Sequence, residues 1–398
     1  MRGASVSLVV VLWVVAGCKG SANTGKLDGG GAVSDLRSAG GVGDLASSAA
    51  LFSPGNPDGK CAAGVPAGGK LVDTSSPTTV VGTGSAASCT FASLNAAVTA
   101  GGIITFDCGA APVTIGVTAT LQLPITKDTV IDGGGKVTLD GGGAVQILRF
   151  DSPNFRALDT RVTLQRLRLI NGKTTPTEAI PTVTQPSKCS QGWNDGEGGA
   201  LYMRDGNLTI IDCELSGNTA APLGPDTGGG GLYILGSKHG VLVVHSTFRD
   251  NRASNGAGLG ALFAELNVYD SLFTGNVATG HDANNNEPDK CSQINNGQNE
   301  TGSGGNGGAL YSDGASVNVT ICGSKIVDNA AGTNAFGGGL FFTSNDFGGT
   351  LSISDTTMTG NTGGHWTVVQ SGSVTDAGTA VGTNAKSITI TNSTLQGL

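Results

Sequence analysis

The sequence predicts an all-β protein, a parallel β-helix solenoid with a short N-terminal helical cap. Three observations lead to this prediction. The chain of 398 residues contains 67 glycines and only 13% charged residues, whereas glycine makes up about 7% of an ordinary globular chain. Alternating apolar stretches such as VLVVHSTF and TLSISDTTM recur along the chain, and this period of two is typical of strands. Asparagines follow several of these stretches at a constant offset.

The N-terminus has the composition of an export signal. Arg2 supplies a positive charge, and a short apolar run extends from Val6 to Val15. This run is too short to span a bilayer as a helix. It ends in Val-Ala-Gly-Cys at Cys18, which resembles the lipobox of bacterial lipoproteins. The resemblance implies a signal peptide at 1–17 and lipidation of Cys18; a soluble secreted protein with an incidental cysteine is the alternative.

Residues 18–60 are rich in Gly, Ser and Ala and lack sustained periodicity, which predicts a flexible tether between the lipid and a folded body. Lys19 follows the cysteine in place of an aspartate. By the bacterial sorting pattern, this residue favours the outer membrane or the cell surface. The membrane is therefore one expected partner, reached through the lipid anchor.

The charge of the chain argues against nucleic acid as a partner. The net charge is −8, and no basic stripe of the kind that binds phosphate backbones is present in the sequence.

One motif repeats through the second half of the chain: an apolar residue, two further residues and an asparagine. Its asparagines are Asn218, Asn251, Asn276, Asn329 and Asn361. The shortest spacing, 25 residues between Asn251 and Asn276, suits one coil of a β-helix. Asparagine tolerates the left-handed backbone of a sharp turn, and stacked amides can bond to one another. We therefore predict an asparagine ladder, with the longer spacings caused by insertions on one side of the solenoid.

The predicted β-helix covers residues 111–398, and residues 61–110 form its N-terminal cap region. In the segment CTFASLNAAV, the spacing of Phe91, Leu94 and Val98 places these side chains on one helical face. A short helix there would cover the open first coil, because an exposed sheet edge invites aggregation.

Two family resemblances follow from these motifs. The GGALY starts and Phe-x-x-Asn endings resemble the repeats of chlamydial polymorphic outer-membrane proteins. SCTFASLNAAVTAGGIITFDCG, followed by TVIDGGGKVTLDGGG, resembles the N-terminal region of bacterial pectin-lyase-fold surface proteins. Together they cover about residues 80–398 and imply a right-handed parallel β-helix. They imply no single activity, because this fold carries lyases, hydrolases, adhesins and inert stalks.

The cysteines of an exported chain favour disulfides, and neither CxxC nor HxxxH is present to suggest a metal site. Two similar segments, both beginning KCSQ, predict the local bridges Cys189–Cys213 and Cys291–Cys322. The cysteines that flank the predicted helix form a third pair, Cys89–Cys108. Cys61 then has no partner if Cys18 is lipidated.

The strongest candidate for ligand binding is a polar cluster in and after the first insertion: Trp193, Asp195, Glu197 and Asp226. An aromatic face beside carboxylates could stack a sugar ring and bind its hydroxyls. A polar loop with one aromatic residue is the alternative, and the stronger one.

A second acidic group, in the segment HDANNNEPD, offers Asp282, Glu287 and Asp289 as oxygen ligands for Ca²⁺. These residues lack the EF-hand spacing. We therefore expect a solvated loop and no cofactor.

No catalytic motif is present. Adjacent aspartates, Asn-Thr-Asp and Arg-x-x-Pro-x-x-Arg do not occur in the sequence. The sequence thus favours a lipid-anchored, non-catalytic surface protein that contacts glycans or a neighbouring cell-surface protein, with a passive spacer as a weaker variant. A polysaccharide lyase or glycoside hydrolase of the same fold is the alternative, because carboxylates on different coils can converge without a local motif.

Overall fold

A computed structural model of the chain describes residues 54–177, 195–281, 283, 304–363, 374–377 and 380–396. All of them belong to the unit Ser48–Leu398. They form an all-β parallel solenoid with one short α-helix, as the sequence predicts. Among the described residues, no helix has the length and apolarity needed to cross a membrane.

The strands line up on three faces of the solenoid. Face 1 contains β1 (Thr79–Val81), β2 (Gly102–Phe106), the first parts of β5 (Thr129–Asp140) and β7 (Arg161–Ile170), β9 (Asn207–Ile211), β12 (Val241–Val244), β16 (Leu266–Tyr269), β20 (Val319–Cys322), β23 (Thr350–Ser354) and β27 (Ser387–Thr391). Face 2 contains β3 (Val113–Gly116), the later parts of β5 and β7, β10 (Glu214–Ser216), β13 (Thr247–Arg249), β17 (Leu272–Thr274), β21 (Lys325–Val327), β24 (Thr357–Thr359) and β28 (Thr394–Leu395).

Face 3 contains β4 (Leu121–Gln122), β6 (Leu148–Asp151), β8 (Leu201–Arg204), β11 (Leu232–Leu235), β15 (Leu259–Leu262), β19 (Leu310–Gly314), β22 (Leu340–Ser344) and β26 (Val381–Ala385). The pairs between these strands are parallel, and the hairpin strand β25 (Val374–Ala377) adds antiparallel to β26. The short strands β14 (Arg252–Ala253) and β18 (Val277–Ala278) pair beside the asparagine turns.

The core is a set of columns of like side chains. Because the strands are in register, alternate residues of face 1 stack inside the solenoid from coil to coil. One such column is Leu208, Val241, Leu266, Val319 and Leu351, all buried. Burial of each such side chain stabilises the fold by roughly 1.5–3 kcal/mol, and on face 2 the rings of Phe248 and Phe273 stack at 4.7 Å.

The N-terminal helix α1 (Phe91–Ala100) caps the first coil, as predicted. Thr90 begins it with a capping box to Ser93. Leu94 and Val98 are buried in the same core as the first strands, and Phe91 packs against it.

The predicted asparagine ladder is present. Each side-chain Nδ2 donates to Oδ1 of the asparagine in the next coil at 2.9–3.0 Å, from Asn218 through Asn361. The same Oδ1 atoms accept the backbone N–H of the preceding asparagine at 3.0–3.1 Å. All five side chains are at most 1% exposed. The ladder thus satisfies buried polar groups at every turn between faces 2 and 3.

The residue before each ladder asparagine alternates between glycine and aspartate: Gly217, Asp250, Gly275, Asp328 and Gly360. Asn171, which precedes Gly172, holds the same position one coil earlier. All six have positive φ, between 52° and 68°. The polar side chain of one coil lies over the glycine of the next, so that a Cβ on Gly275 would lie 2.5 Å from Oδ1 of Asp250. Glycine is required there both by φ and by the neighbouring carboxylate.

A second ladder runs inside the turn between faces 1 and 2. Its members are Cys213, Ser246, Ser271, Ser324, Thr356 and Ser393. The backbone N–H of each member donates to the hydroxyl oxygen of the next at 3.0–3.3 Å. Each hydroxyl in turn donates to the carbonyl two residues earlier in its own coil at 2.7–3.0 Å. Cys213 is the first rung, with its Sγ 3.3 Å from the Ile211 carbonyl.

Two disulfides are present among the described residues. Cys89–Cys108 confirms one predicted bridge. Cys322 bonds Cys61, so the predicted pair Cys291–Cys322 is wrong, and Cys61 is not left over. Cys213 is a buried free thiol, which contradicts the pair Cys189–Cys213. Cys18, Cys189 and Cys291 lie outside the described residues.

The physical reason for both corrections is the direction of the side chains. Cys213 points into the solenoid as a rung of the hydroxyl ladder, where burial raises the pKa of its thiol to about 12. Cys322 ends β20, whose Val319 and Ile321 are in the core, so its side chain points outward. The two cysteines are therefore not equivalent, and Ser324 is the counterpart of Cys213 in its coil.

Cys61 reaches Cys322 because residues 54–78, here called the strap, run over the outside of the solenoid. The predicted tether thus includes residues, 54–60, that contact the solenoid. From Cys61 the strap returns across earlier coils towards β1. Its contacts include Asn56 N to the Asp270 carbonyl (2.9 Å), Val72 N to Gln165 Oε1 (2.9 Å), Thr74 Oγ1 to Asp132 Oδ2 (2.7 Å) and Thr78 N to the Ile103 carbonyl (2.7 Å).

We expect Asn276→Ala to lower the free energy of unfolding by about 3 kcal/mol. The substitution removes an acceptor for two donors of Asn251 and leaves its backbone N–H buried without a partner. Urea unfolding followed by circular dichroism measures the change. Asn267→Ala, at a half-buried outward position of β16, is the control and should change stability by less than about 0.5 kcal/mol. Equal losses in the two variants would contradict a stabilising ladder.

Candidate functional site

A cavity of about 420 Å³ lies at the end of the strands of face 3. Four of its lining residues occupy one register row of adjacent strands, one each from β8, β11, β15 and β19: Arg204, Leu235, Leu262 and Asp313. The other described lining residues belong to segments that connect the strands: Phe155, Asp226, Phe263 and Asn345. The cavity therefore combines a rigid strand floor with walls from connecting segments.

Phe155 and Phe263 form the aromatic part of the cavity. Their rings meet edge to face, with centroids 5.5 Å apart, and Phe155 is 49% exposed. Gly236 makes room for Phe155, because a Cβ there would lie 2.3 Å from the ring. Phe155 thus presents an open apolar surface at the cavity.

The segment that carries Phe155 is held by a buried carboxylate. Asp205 follows β8 and accepts the backbone N–H groups of Ala157 and Leu158 at 3.0–3.2 Å. Arg156 N also donates to the Gly236 carbonyl at 2.7 Å. These bonds fix the position of the aromatic wall relative to the strands.

Asp313 is an acid of the cavity whose two carboxyl oxygens have different surroundings. Its Oδ2 accepts the hydroxyl of Tyr311 at 2.9 Å. Its Oδ1 is buried and has no donor in hydrogen-bonding geometry within the described structure. Burial raises the pKa of Asp313 to about 6, against the opposing effects of Tyr311, Asn345 and the Gly314 backbone. Oδ1 of this carboxyl group is therefore short of a donor in good hydrogen-bonding geometry.

A row of aromatic side chains runs beside the cavity along the outside of face 3: Tyr202, Tyr233, Tyr311 and Phe341. Arg149 lies 4.3 Å from the centroid of Tyr202, Tyr202 stacks on Tyr233, and Tyr311 stacks on Phe341 at 5.3 Å. All four rings are at most 4% exposed. They stabilise the face and offer no open stacking surface.

Of the polar cluster that the sequence predicts, the structure describes Asp195, Glu197 and Asp226. Asp226 lines the cavity, and its carbonyl accepts the hydroxyl of Tyr233 at 2.5 Å. Asp195 and Glu197 are not among the lining residues; Asp195 accepts the N–H and hydroxyl of Thr177 at 2.9–3.2 Å. Trp193 and the three Ca²⁺ candidates Asp282, Glu287 and Asp289 lie outside the described residues.

Glu197 is a buried carboxyl group, 1% exposed. Its Oε1 accepts the backbone N–H of Asp195 at 2.9 Å, and its Oε2 has no hydrogen-bond partner among the described residues. Burial raises its pKa to about 8. Burial thus favours the protonated, neutral form of Glu197.

Sequence reasoning missed Phe155, Arg204, Phe263 and Asp313. A signal for two of them is present in the repeated motif, because Arg204 and Asp313 both stand three residues after the leucine of GGALY. A charged residue at this point of a face 3 strand marks the row that borders the cavity. Phe155 and Phe263 belong to connecting segments, where no repeat position identifies them.

No family model matches the chain, and neither a curated protein nor a solved structure matches it. What the cavity can bind therefore follows from its own chemistry.

We expect the wild-type protein to lose stability relative to Glu197→Gln as pH rises from about 4.5 to about 8. The folded state holds the Glu197 proton up to a pKa of about 8, whereas the same glutamate in the unfolded chain has an ordinary pKa near 4.5. Deprotonation therefore favours unfolding across this window. Thermal unfolding at pH 5 and pH 8 measures the difference. A stability difference between wild type and Glu197→Gln that is the same at pH 5 and pH 8 would contradict the assignment.

Proposed function

We propose that this protein is a lipid-anchored bacterial surface β-helix that binds glycans in the cavity at the end of face 3. The observation that carries the proposal is the open ring of Phe155 beside the carboxylates of Asp226 and Asp313. A pyranose has an apolar face that stacks on aromatic rings and hydroxyl groups that donate to carboxylates. A single cavity with both partners matches that chemistry.

The size and construction of the cavity support the same proposal. Its volume of about 420 Å³ lies within the range of roughly 300–1,000 Å³ typical of small-ligand pockets. Its charged residues Arg204 and Asp313 lie on strands β8 and β19 of face 3. Strands within a sheet hold side chains more rigidly than loops do. A role in adhesion follows if the glycan belongs to a neighbouring cell; binding of a cell-surface protein is the alternative.

The proposed location at the cell surface, with a lipid anchor, rests on the sequence. The apolar run ending in Val-Ala-Gly-Cys18 resembles a lipobox, Lys19 favours the outer membrane or cell surface, and the GGALY starts resemble surface-protein repeats.

We expect radioactive palmitate to label the wild-type protein in a bacterial host and not Cys18→Ser. Equal labelling of the two would contradict the anchor.

A glycoside hydrolase is the second candidate. Two carboxyl groups, Asp226 and Asp313, border one cavity, and the raised pKa of Asp313, about 6, suits a proton donor. Hydrolysis would release new reducing ends, whereas a binding protein leaves the glycan intact.

We expect the detergent-solubilised full-length protein to bind glycans on an array of neutral, amino and uronate oligosaccharides, and Phe155→Ala to weaken binding at least about tenfold. Loss of one aromatic stacking partner accounts for a change of this size. Leu71→Ala is the matched control, because Leu71 is 45% exposed and lies on the strap. Equal binding by Phe155→Ala and wild type would contradict the site, absence of glycan binding would contradict the function, and new reducing ends would favour the hydrolase.

A further inference from the structure

The donor shortage at Asp313 restricts the kind of glycan that the cavity can take. A buried carboxylate oxygen without a hydrogen-bond donor is energetically unfavourable. The hydroxyl of Tyr311 serves only Oδ2, while Oδ1 has no donor in hydrogen-bonding geometry within the described structure. A ligand that brings a donor to Oδ1 gains this energy, and a ligand that brings another acceptor does not.

The charges of the cavity favour a cation. Among the described residues, its charged lining consists of two carboxyl groups, Asp226 and Asp313, and one guanidinium group, Arg204. The chain as a whole carries a net charge of −8. A uronate would bring a further carboxylate towards Asp226 and Asp313, whereas an ammonium group would bring the opposite charge to them.

The apolar lining favours a cation with a flat apolar body. Leu235 and Leu262 form the floor between the charged ends of the row, and Phe155 and Phe263 form the aromatic wall. An ammonium group near an aromatic face also gains cation–π attraction. A sugar ring that carries an amino group meets the carboxylates and the aromatic wall together.

Resting on the proposed glycan-binding function, we propose that the cavity recognises sugars with an unsubstituted amino group, whose ammonium donates to Oδ1 of Asp313. A charge-assisted hydrogen bond of this kind is about twice as strong as a hydrogen bond between neutral groups. N-acetylation removes the charge and should therefore weaken binding by about tenfold or more.

The test compares three tetrasaccharides by calorimetry on the full-length protein in detergent at about pH 6: tetra-glucosamine, its fully N-acetylated counterpart and tetra-galacturonate. We expect tetra-glucosamine to bind at least about tenfold tighter than the acetylated form, and tetra-galacturonate to bind most weakly. Asp313→Asn should reduce the preference for the free amine to less than about threefold while binding of the acetylated form persists. Asp151→Asn, an exposed acid of the same face, is the control and should keep the full preference.

The outcomes separate this proposal from the proposed function. Equal binding of the free and acetylated sugars, tighter binding of the uronate, or a preference that survives Asp313→Asn would overturn the amino-sugar proposal and leave glycan binding intact. A lysine-rich peptide that binds tighter than tetra-glucosamine would overturn it in favour of a protein partner. Binding of none of the sugars would remove both. Circular dichroism of each variant verifies that it is folded.

Discussion

The structure depends on one constraint: a polar group buried at a corner must find its partner in the next coil. A β-helix turns sharply two or three times per coil, and each turn leaves backbone donors and acceptors without a strand partner. The asparagine ladder and the hydroxyl ladder meet this requirement at two of the three corners. Because every rung bonds to its neighbours, the coils are locked in register, and the apolar columns inside the solenoid follow from that register.

The same register builds the candidate site. Arg204, Leu235, Leu262 and Asp313 are distant in sequence, but they form one row because their strands pair residue for residue. The third corner, between faces 3 and 1, has segments of different length, and one of them brings Phe155 back over the row. A regular scaffold with one irregular edge therefore produces a cavity whose floor is rigid and whose wall is specific to this chain.

The fold could be predicted from the sequence to the level of the ladder, because Asn218 to Asn361 repeat at one position of the coil. The disulfide of Cys322 could not be predicted in this way, because its partner Cys61 belongs to the strap, which lies outside the repeat. The predicted pair Cys189–Cys213 was wrong because Cys213 points into the solenoid, whereas Cys322, which lies near a similar strand, points outward. Of the described members of the predicted polar cluster, Asp226 alone lines the cavity. Asp313 was missed because its significance comes from neighbouring coils rather than from neighbours in sequence.

The alternation of glycine and a polar residue ahead of the ladder asparagines gives the solenoid a repeating unit of two coils. Asp250 and Asp328 each cover a glycine of the following coil. If one coil were deleted, two aspartates or two glycines would become neighbours at the strand spacing of about 4.8 Å, with like charges facing each other in the first case. Removal or duplication of a pair of coils keeps the pattern. A solenoid of this kind should therefore change length during evolution more readily by even numbers of coils than by odd ones.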